Sequence, residues 1–167
     1  MYETEFIGSL ATTTPGTYAA LYHNRTWNDA LVVVANMTDA EAVCSLAVPN
    51  EPAARLQAAG PMFYYDVHQR SVVRNPAQAE QTPFEAVPLR SYQTRLFYLR
   101  PARDASPLHL WGGKRLAETW DAASGTRSLL LQGPEGLEDW VVLDAGGAAP
   151  GQVRVNGEAA PFFHDVK

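Results

Sequence analysis

The chain is 167 residues long and has a single cysteine, which is the size of one or at most two domains and excludes an internal disulfide framework. Its net charge of -5 and its 13 scattered basic residues argue against a nucleic-acid partner, because such proteins collect Lys and Arg on one face. The N-terminus shows no signal-peptide pattern and no run approaches the ~20 apolar residues of a membrane helix, so we expect a soluble, cytoplasmic protein without a membrane partner.

The first elements predicted along the chain are three strands. Residues 2–10 and 17–23 are apolar runs separated by a polar Thr-Pro-Gly turn, a pattern typical of paired strands. Residues 30–35 are six apolar residues in a row, followed by the turn formers Asn36 and Thr38. Because side chains alternate along a strand, both faces of this run are apolar, which predicts a central strand covered on both sides.

The next stretch predicts a strand and a short helix. Residues 41–48 alternate between apolar and polar positions and place Cys44 on the apolar face, so we expect its thiol to be buried and unreactive in the native protein. Residues 50–60 begin with Asn, continue with an early proline and end with Gly, the order that a short helix favours.

Four more strands are predicted in the first half of the chain. Residues 63–67 and 71–74 have the pattern of a hairpin, and a polar loop at 75–83 follows it. Residues 86–89 and 94–99 are further strands, the second apolar on both faces, and Pro101 is expected to stop it.

A domain boundary is predicted at 101–107, a segment with two prolines and no large apolar residue. It separates a module at 1–100 from a smaller one at 108–167. The strands expected in the smaller module are 108–111, 115–120, 127–131, 140–143, 152–155 and 161–163. Many short strands with glycine-rich turns and no sustained helical period predict an all-β protein, an antiparallel β-sandwich of two small sandwich-like modules.

Several polar residues are candidates for a site. Tyr64, Asp66 and His68 alternate along one strand and could bind a metal or a sugar, but no third ligand has informative spacing, so we interpret them as a solvated strand face. His109 lies between two leucines without a Ser or Cys nucleophile motif, which favours a hydrogen-bonded structural histidine over a catalytic base.

Glu118 and Asp121 are acidic residues that a glycosidase could use as an acid and base pair, but nothing in the sequence determines their separation. The glycines match no phosphate-binding pattern and no residues have zinc-ligand spacing, so we predict no catalytic, metal or cofactor-binding residues and no cofactor. The four tryptophans are Trp27, Trp111, Trp120 and Trp140. They could stack on sugars, but each lies in or beside an apolar strand, which favours a role in the core.

Four stretches of the sequence resemble a known family. LVVVANMTDAEAVCSLAVP, FYYDVHQRSVV and VPLRSYQTRLFYLRP resemble the β-sandwich that follows the catalytic barrel in many bacterial glycoside hydrolases, especially α-galactosidase-like ones. Asn36, Thr38, Asp66, Arg95 and Leu96 occupy the matching positions. LHLWGGKRLAETWDAASGTRSLLLQGPEG is similar to a smaller β-module that follows in such enzymes. The positions that carry this second likeness are Trp120, Asp121, Leu129, Leu131, Gly133, Pro134 and Gly136.

The resemblance implies a non-catalytic accessory β-sandwich, because in that family the catalytic carboxylates lie in a barrel, which needs about 250 residues of its own. The expected partner is therefore a separate catalytic barrel domain or subunit. One alternative is a carbohydrate-binding module that holds a glycan on exposed Trp or Tyr faces. A second alternative is a small hydrolase with a His and carboxylate site around His68 or His109.

Overall fold

The computed structural model describes residues 4–47, 62–74, 84–101, 108–136, 138–145 and 149–164. Their strands all pair antiparallel, which confirms the all-β prediction. The same residues contain no helix, and hence none that is long and apolar enough to cross a membrane. The chain divides into two compact units, Met1–Ala102 and Arg103–Lys167. That division falls within 101–107, where only Pro101 is described, so the predicted linker itself lies outside the described residues.

The described part of the first unit consists of nine strands. They are β1 (Thr4–Thr12), β2 (Thr17–Asn24), β3 (Asp29–Asn36), β4 (Ala42–Cys44), β5 (Leu46–Ala47), β6 (Met62–Asp66), β7 (Ser71–Arg74), β8 (Val87–Leu89) and β9 (Thr94–Pro101). Seven of them form one sheet in the order β5-β1-β2-β3-β9-β6-β7, and β4 pairs with β8 alone. The apolar run at 30–35 is therefore the centre of the sheet, as predicted.

Tight turns join the first three strands. Gly16 has a φ of 75° in the turn between β1 and β2, and Asn28 has a φ of 51° in the turn between β2 and β3. Glycine and asparagine tolerate this left-handed region better than other residues. The turns place β1, β2 and β3 side by side, with Leu21 opposite Val32.

One face of this sheet carries the hydrophobic core. Its fully or nearly fully buried side chains come from the sheet, from the β4–β8 pair and from Phe84. The core cluster comprises Leu10, Ala19, Leu21, Ala30, Val32, Val34, Cys44, Phe84, Val87, Leu89, Phe97 and Leu99. Because β4 and β8 contribute Cys44, Val87 and Leu89 to the same cluster, they cover the face that the long sheet buries.

The burial predicted for Cys44 is confirmed, since its side chain is almost completely buried. Burial raises the pKa of the Cys44 thiol, because removing water disfavours the thiolate, and a hydrogen bond from Thr17 opposes this shift to a smaller extent. The low reactivity expected for this thiol stays a prediction.

The opposite face of the sheet is also apolar but less covered. Leu31 and Val33 of β3, with Leu96 and Tyr98 of β9, are only partly buried. Leu31 lies opposite Tyr98 and Val33 opposite Leu96. The central strand β3 is thus fully buried on one face and half-buried on the other. Full cover was predicted for both faces and is found for one.

Two strand predictions in this unit are wrong in detail. The strand expected at 41–48 is broken at Ser45, whose N–H donates to Thr13 Oγ1 at 2.9 Å, because the chain changes there from the β4–β8 pair to the edge of the long sheet. Pro101 does not stop β9 at Leu99 but is its last residue, opposite Met62. A proline lacks only the N–H donor and keeps a carbonyl that can accept.

The hairpin predicted at 63–67 and 71–74 is confirmed by the pairing of β6 with β7, in which Asp66 lies opposite Ser71. The helix predicted at 50–60 and the loop predicted at 75–83 lie outside the described residues.

The second unit has six described strands: β10 (Leu108–Trp111), β11 (Lys114–Asp121), β12 (Thr126–Gln132), β13 (Val142–Asp144), β14 (Arg154–Val155) and β15 (Glu158–Ala159). They form three two-stranded sheets, β10-β13, β11-β12 and β14-β15. A sandwich packing of this module remains a prediction.

Two expectations for the second unit are corrected. The strand expected at 140–143 lies at Val142–Asp144. No strand occurs at 161–163; the chain instead forms the β14–β15 hairpin around Asn156 and Gly157, which have φ values of 52° and 88°. Positive φ at both central residues is the geometry that an Asn-Gly hairpin turn favours.

Candidate functional site

Asp66 and Arg95 form a buried ion pair in the first unit. Asp66 is the last residue of β6 and Arg95 lies in the neighbouring strand β9, and their side chains are 0% and 7% exposed. Arg95 Nη2 pairs with Asp66 Oδ2, and Arg95 Nη1 donates to the Pro88 carbonyl at 3.0 Å. The arginine therefore connects the long sheet to β8. The solvated strand face predicted for Asp66 is wrong.

The second oxygen of Asp66 organises the turn that follows β6. Asp66 Oδ1 accepts hydrogen bonds from the backbone N–H groups of His68 and Gln69, each at 2.9 Å. Tyr64 packs edge-on against Phe84, with ring centroids 5.7 Å apart. Of the three residues that were predicted to share a strand face, Tyr64 joins the core, Asp66 is a buried turn cap and His68 is exposed in the turn.

The buried Asn36 side chain likewise holds a turn by hydrogen bonds, in this case the turn after β3. Its Nδ2 donates to the carbonyls of Ala40 at 2.7 Å and Arg90 at 2.9 Å. Its Oδ1 accepts from the N–H and the hydroxyl of Thr38, at 3.0 and 2.8 Å. A buried side chain thus joins the turn after β3 to the turn between β8 and β9, with all its hydrogen-bonding groups used.

These buried polar groups lie beside a cleft of about 430 Å³. Its polar lining comes from Glu41, His68, Gln69, Arg90, Gln93 and Arg95, and its apolar lining from Ala42, Val43, Pro88 and Leu89. Three of the positions that carry the family resemblance, Asn36, Asp66 and Arg95, therefore line this cleft or hydrogen-bond to groups that line it. The cleft is a candidate site on this unit.

Hydrogen bonds hold the polar rim of the cleft in place. Gln93 Oε1 accepts from the Arg90 N–H at 2.8 Å, and Gln93 Nε2 donates to His68 Nε2 at 3.3 Å. The Tyr92 N–H donates to the Thr38 carbonyl at 3.0 Å. The side chains of Glu41 and Arg90 remain exposed on this rim.

In the second unit, Glu118 does not pair with Asp121. The Glu118 carboxylate is 5% exposed and forms ion pairs with Arg115, at 3.1 Å, and with Arg127. The Asp121 carboxylate caps its own turn and accepts from the Ala123 N–H at 2.9 Å and the Ser124 hydroxyl at 2.7 Å. The register of β11 is regular from Glu118 to Asp121, unlike the bulged stretch between Arg115 and Ala117. Glu118 and Asp121 therefore point to opposite faces of the strand, and their carboxylates do not form a glycosidase-like pair.

The turn shifts the acidity of Asp121. The hydrogen bond from the Ser124 hydroxyl, followed by those from the backbone N–H groups of Ala123 and Ser124, lowers the pKa of the Asp121 carboxyl. Such bonds favour the ionised form. A general acid needs the opposite shift, so Asp121 is unsuited to protonate a leaving group at neutral pH.

His109 has the structural role that was predicted. Its buried imidazole Nε2 donates to the Gly112 carbonyl at 2.7 Å. Gly112 has a φ of 98°, and a Cβ at this position would collide with the Trp140 carbonyl. The histidine therefore helps to hold the chain where β10 passes into the turn before β11.

The predicted core role of Trp120 and Trp140 is wrong, since their side chains are 40% and 52% exposed. One face of the Trp120 ring carries the Arg127 guanidinium, whose central carbon lies 5.5 Å from the ring centroid. Trp140 lies beside Phe163, with ring centroids 6.0 Å apart. An aromatic residue in or beside an apolar strand can lie on the exposed face of that strand, as both rings do here.

Sequence reasoning missed the role of Arg95 and the cleft beside it. A signal existed, because Arg95 shares the alternation of Phe97 and Leu99 on β9 and a cation on a buried face needs an acidic partner. Among the described residues, no group of three His, Cys, Asp or Glu side chains is arranged to hold a metal ion.

The fold and the cleft define an all-β protein with a small polar pocket on its first unit. Comparison with protein-family models, with curated proteins and with solved structures found no significant match to this chain.

Proposed function

We propose that this chain is a non-catalytic accessory β-module of a carbohydrate-processing protein, and that it packs on a separate catalytic barrel domain or subunit. The observation that carries the docking role is the apolar surface of the second unit. The exposed large apolar side chains there are Leu116, Trp120, Leu130, Trp140, Val141, Leu143, Val155, Phe162 and Phe163. Where exposed apolar side chains form a contiguous patch, they mark sites of protein association. Trp140 and Phe163 lie side by side, with ring centroids 6.0 Å apart.

The carbohydrate part of the proposal comes from the family resemblance of the strands around Asn36, Asp66 and Arg95. The non-catalytic part is supported by what the acidic residues do. Asp66 is engaged by Arg95 and two turn N–H groups, and Glu118 by two arginines. A carboxylate that already serves a buried ion pair is a poor nucleophile or proton donor.

The direct test of the non-catalytic role is turnover of aryl α- and β-glycosides by the purified chain between about pH 4 and 8. We expect none above a buffer blank. Turnover that Asp66→Asn, Glu118→Gln or a change of His68 abolishes, in variants that still fold, would establish the small-hydrolase alternative instead.

The test of docking uses the coding sequence next to or in frame with this chain. We expect it to encode a catalytic barrel, and co-expression with that barrel should give a stable complex. Phe163→Asp and Trp140→Ser should weaken the complex. Tyr92→Ser should not; it changes an aromatic residue of the first unit whose exposed fraction lies between those of Trp140 and Phe163. If no barrel is encoded there, or if all three variants bind equally, the docking proposal fails.

A second candidate function is glycan binding on exposed aromatic rings. The observation that favours it is the exposure of Trp120 and Trp140, because flat rings that are open to solvent can stack on sugars. A glycan pull-down separates the two candidates. Binding that is lost in Trp120→Ala or Trp140→Ala, in variants that still fold, favours the binding module.

A further inference from the structure

Three buried polar side chains lie beside the cleft of the first unit, at positions where apolar side chains could fill the core. Asn36, Asp66 and Arg95 are each at least nine-tenths buried, although apolar residues of similar size fill a core at lower desolvation cost. What these three side chains do is hold the backbone around the cleft. Asp66 binds the His68 and Gln69 N–H groups, and Asn36 binds the Arg90 carbonyl.

A pocket whose rim is held by a second layer of hydrogen bonds is the arrangement expected of a preorganised binding site. Here hydrogen bonds connect three segments of the rim to β9 and the turn before it. Arg95 donates to the Pro88 carbonyl at 3.0 Å. Gln93 contacts His68 at 3.3 Å, and the Tyr92 N–H donates to the Thr38 carbonyl. These bonds fix the rim before any ligand arrives, which lowers the entropy cost of binding.

The lining of the cleft indicates the ligand chemistry. Glu41 and Arg90 contribute opposite charges at the rim, and Asp66 neutralises Arg95. The formal charges of these four side chains cancel, so their net charge favours neither an anion nor a cation. The rim offers both donors and acceptors, which suits hydroxyl groups, since each hydroxyl can donate and accept at once.

The size and the apolar wall restrict the ligand further. A volume of about 430 Å³ lies in the range of roughly 300 to 1,000 Å³ found for small-molecule sites. Val43 and Pro88 are exposed along the wall and present apolar surface to the C–H groups of a ring. We infer that this cleft binds a neutral polyhydroxylated ligand of one or two sugar rings.

The inference is independent of the docking role proposed above, because it concerns other residues in the other unit. It also differs from glycan binding on exposed tryptophans, since no tryptophan lines the cleft. Failure to bind sugar here would leave the docking proposal intact, and loss of docking would leave this inference intact.

The test is an NMR titration of the full ¹⁵N-labelled chain with maltose, cellobiose, methyl α-galactoside and methyl β-glucoside. Each sugar is added to about 100 mM, a concentration that saturates a site of millimolar affinity. We expect at least one sugar to give saturable shifts at the amides of His68, Gln69, Arg90 and Gln93. Sodium acetate and tetramethylammonium chloride, which carry charge without hydroxyl groups, should give none there.

Two exposed rim residues supply the variants. Glu41→Gln and Arg90→Ala should each weaken binding about fivefold or more while the melting temperature stays that of the parent. Arg25→Ala and Glu158→Gln change exposed charges that do not line the cleft, and they serve as matched controls that should bind like the parent.

The inference is overturned if none of the four sugars gives saturable shifts at the cleft. It is also overturned if the shifts map to Trp120 and Trp140, if acetate or tetramethylammonium reproduces them, or if the rim variants bind as tightly as the two controls.

Discussion

At the scale of single residues, Asp66 is the position where stability and the cleft are most closely connected. Replacing Asp66 with Asn leaves the Arg95 guanidinium buried without its counter-charge. Breaking a buried pair in this way costs about 3 to 5 kcal/mol of unfolding free energy. Urea unfolding followed by circular dichroism measures the loss, and the amide resonances of His68 and Gln69 should shift because their acceptor has changed.

The matched control is the exposed ion pair between Arg25 and Glu5, whose side chains are 58% and 44% exposed. Glu5→Gln should change the unfolding free energy by less than about 1 kcal/mol, because solvent screens an exposed pair. Equal losses for Glu5→Gln and Asp66→Asn would contradict the structural role assigned to Asp66.

Asp121 gives a pH-dependent prediction. Its pKa is lower in the folded protein than in the unfolded chain, so its contribution to stability is present above the unfolded pKa and is lost as the pH falls through the folded pKa. Ser124→Ala removes the largest cause of the shift and should raise the Asp121 pKa towards its ordinary value. An NMR pH titration of the side chain measures both values, and Ser128→Ala, an exposed serine on β12, should leave the Asp121 pKa unchanged.

At the scale of elements, local sequence pattern predicted most strands of the first unit because their apolar side chains alternate over five or more residues. The apolar run at 30–35 lies within β3, and the strand expected at 108–111 has the same bounds as β10. The strand predictions failed where the structure depends on pairing with residues far away in the sequence. No residue near Ser45 indicates that the chain leaves one sheet for another. The return strand β15 has only two residues, Glu158 and Ala159, which is too short for an apolar alternation.

The candidate site was predictable only in part, for a related reason. The sequence identifies Asp66 and Arg95 as unusual polar residues in apolar strands, but which acid meets which base depends on the pairing of β6 with β9. That pairing brings together residues far apart along the chain. The cleft depends in addition on the short strands β4 and β8. Strands were predicted at 41–48 and 86–89, but no local pattern indicates that they pair with each other instead of joining the long sheet.

In the β11–β12 hairpin, the partial exposure of Trp120 predicts a smaller loss of stability on mutation than a core residue would give. Trp120→Ala removes a ring that is 40% exposed and an arginine contact, which is worth about 0.5 to 1 kcal/mol at an exposed site. We expect a total loss of about 1 to 2 kcal/mol in urea unfolding once partial burial is added. A loss of about 3 to 5 kcal/mol, typical of a fully buried ring, would mean that Trp120 is covered in solution, and Tyr92→Ala is the exposed control.

At the scale of the whole molecule, the two units differ in how much apolar surface they bury. Among the described residues, Leu110 is the only buried hydrophobic residue of the second unit, whereas the core cluster lies entirely in the first. Two-stranded sheets are marginally stable by themselves. A fragment of residues 1–102 should therefore unfold cooperatively in urea, whereas a fragment of residues 103–167 should bind the dye ANS and show no cooperative transition.

Full-length chain in the same buffer is the reference for both fragments. A sharp urea transition in fragment 103–167, without ANS binding, would show that the exposed apolar side chains of this unit need no cover. The docking proposal would then lose its main support, while the cleft in the first unit would be unaffected.

The pairing of β3 with β9 has a consequence for how the protein is made. Val32 lies opposite Phe97, so the middle of the sheet cannot close until nearly all of the first unit has left the ribosome, on the order of several seconds after β3 emerges. During that interval β1, β2 and β3 form a meander whose last strand has an open edge and six apolar residues, a template for pairing with other nascent chains. Nascent chains that end before residue 94 should therefore aggregate or recruit chaperones, and slow codons placed between β3 and β9 should lower the yield of soluble protein.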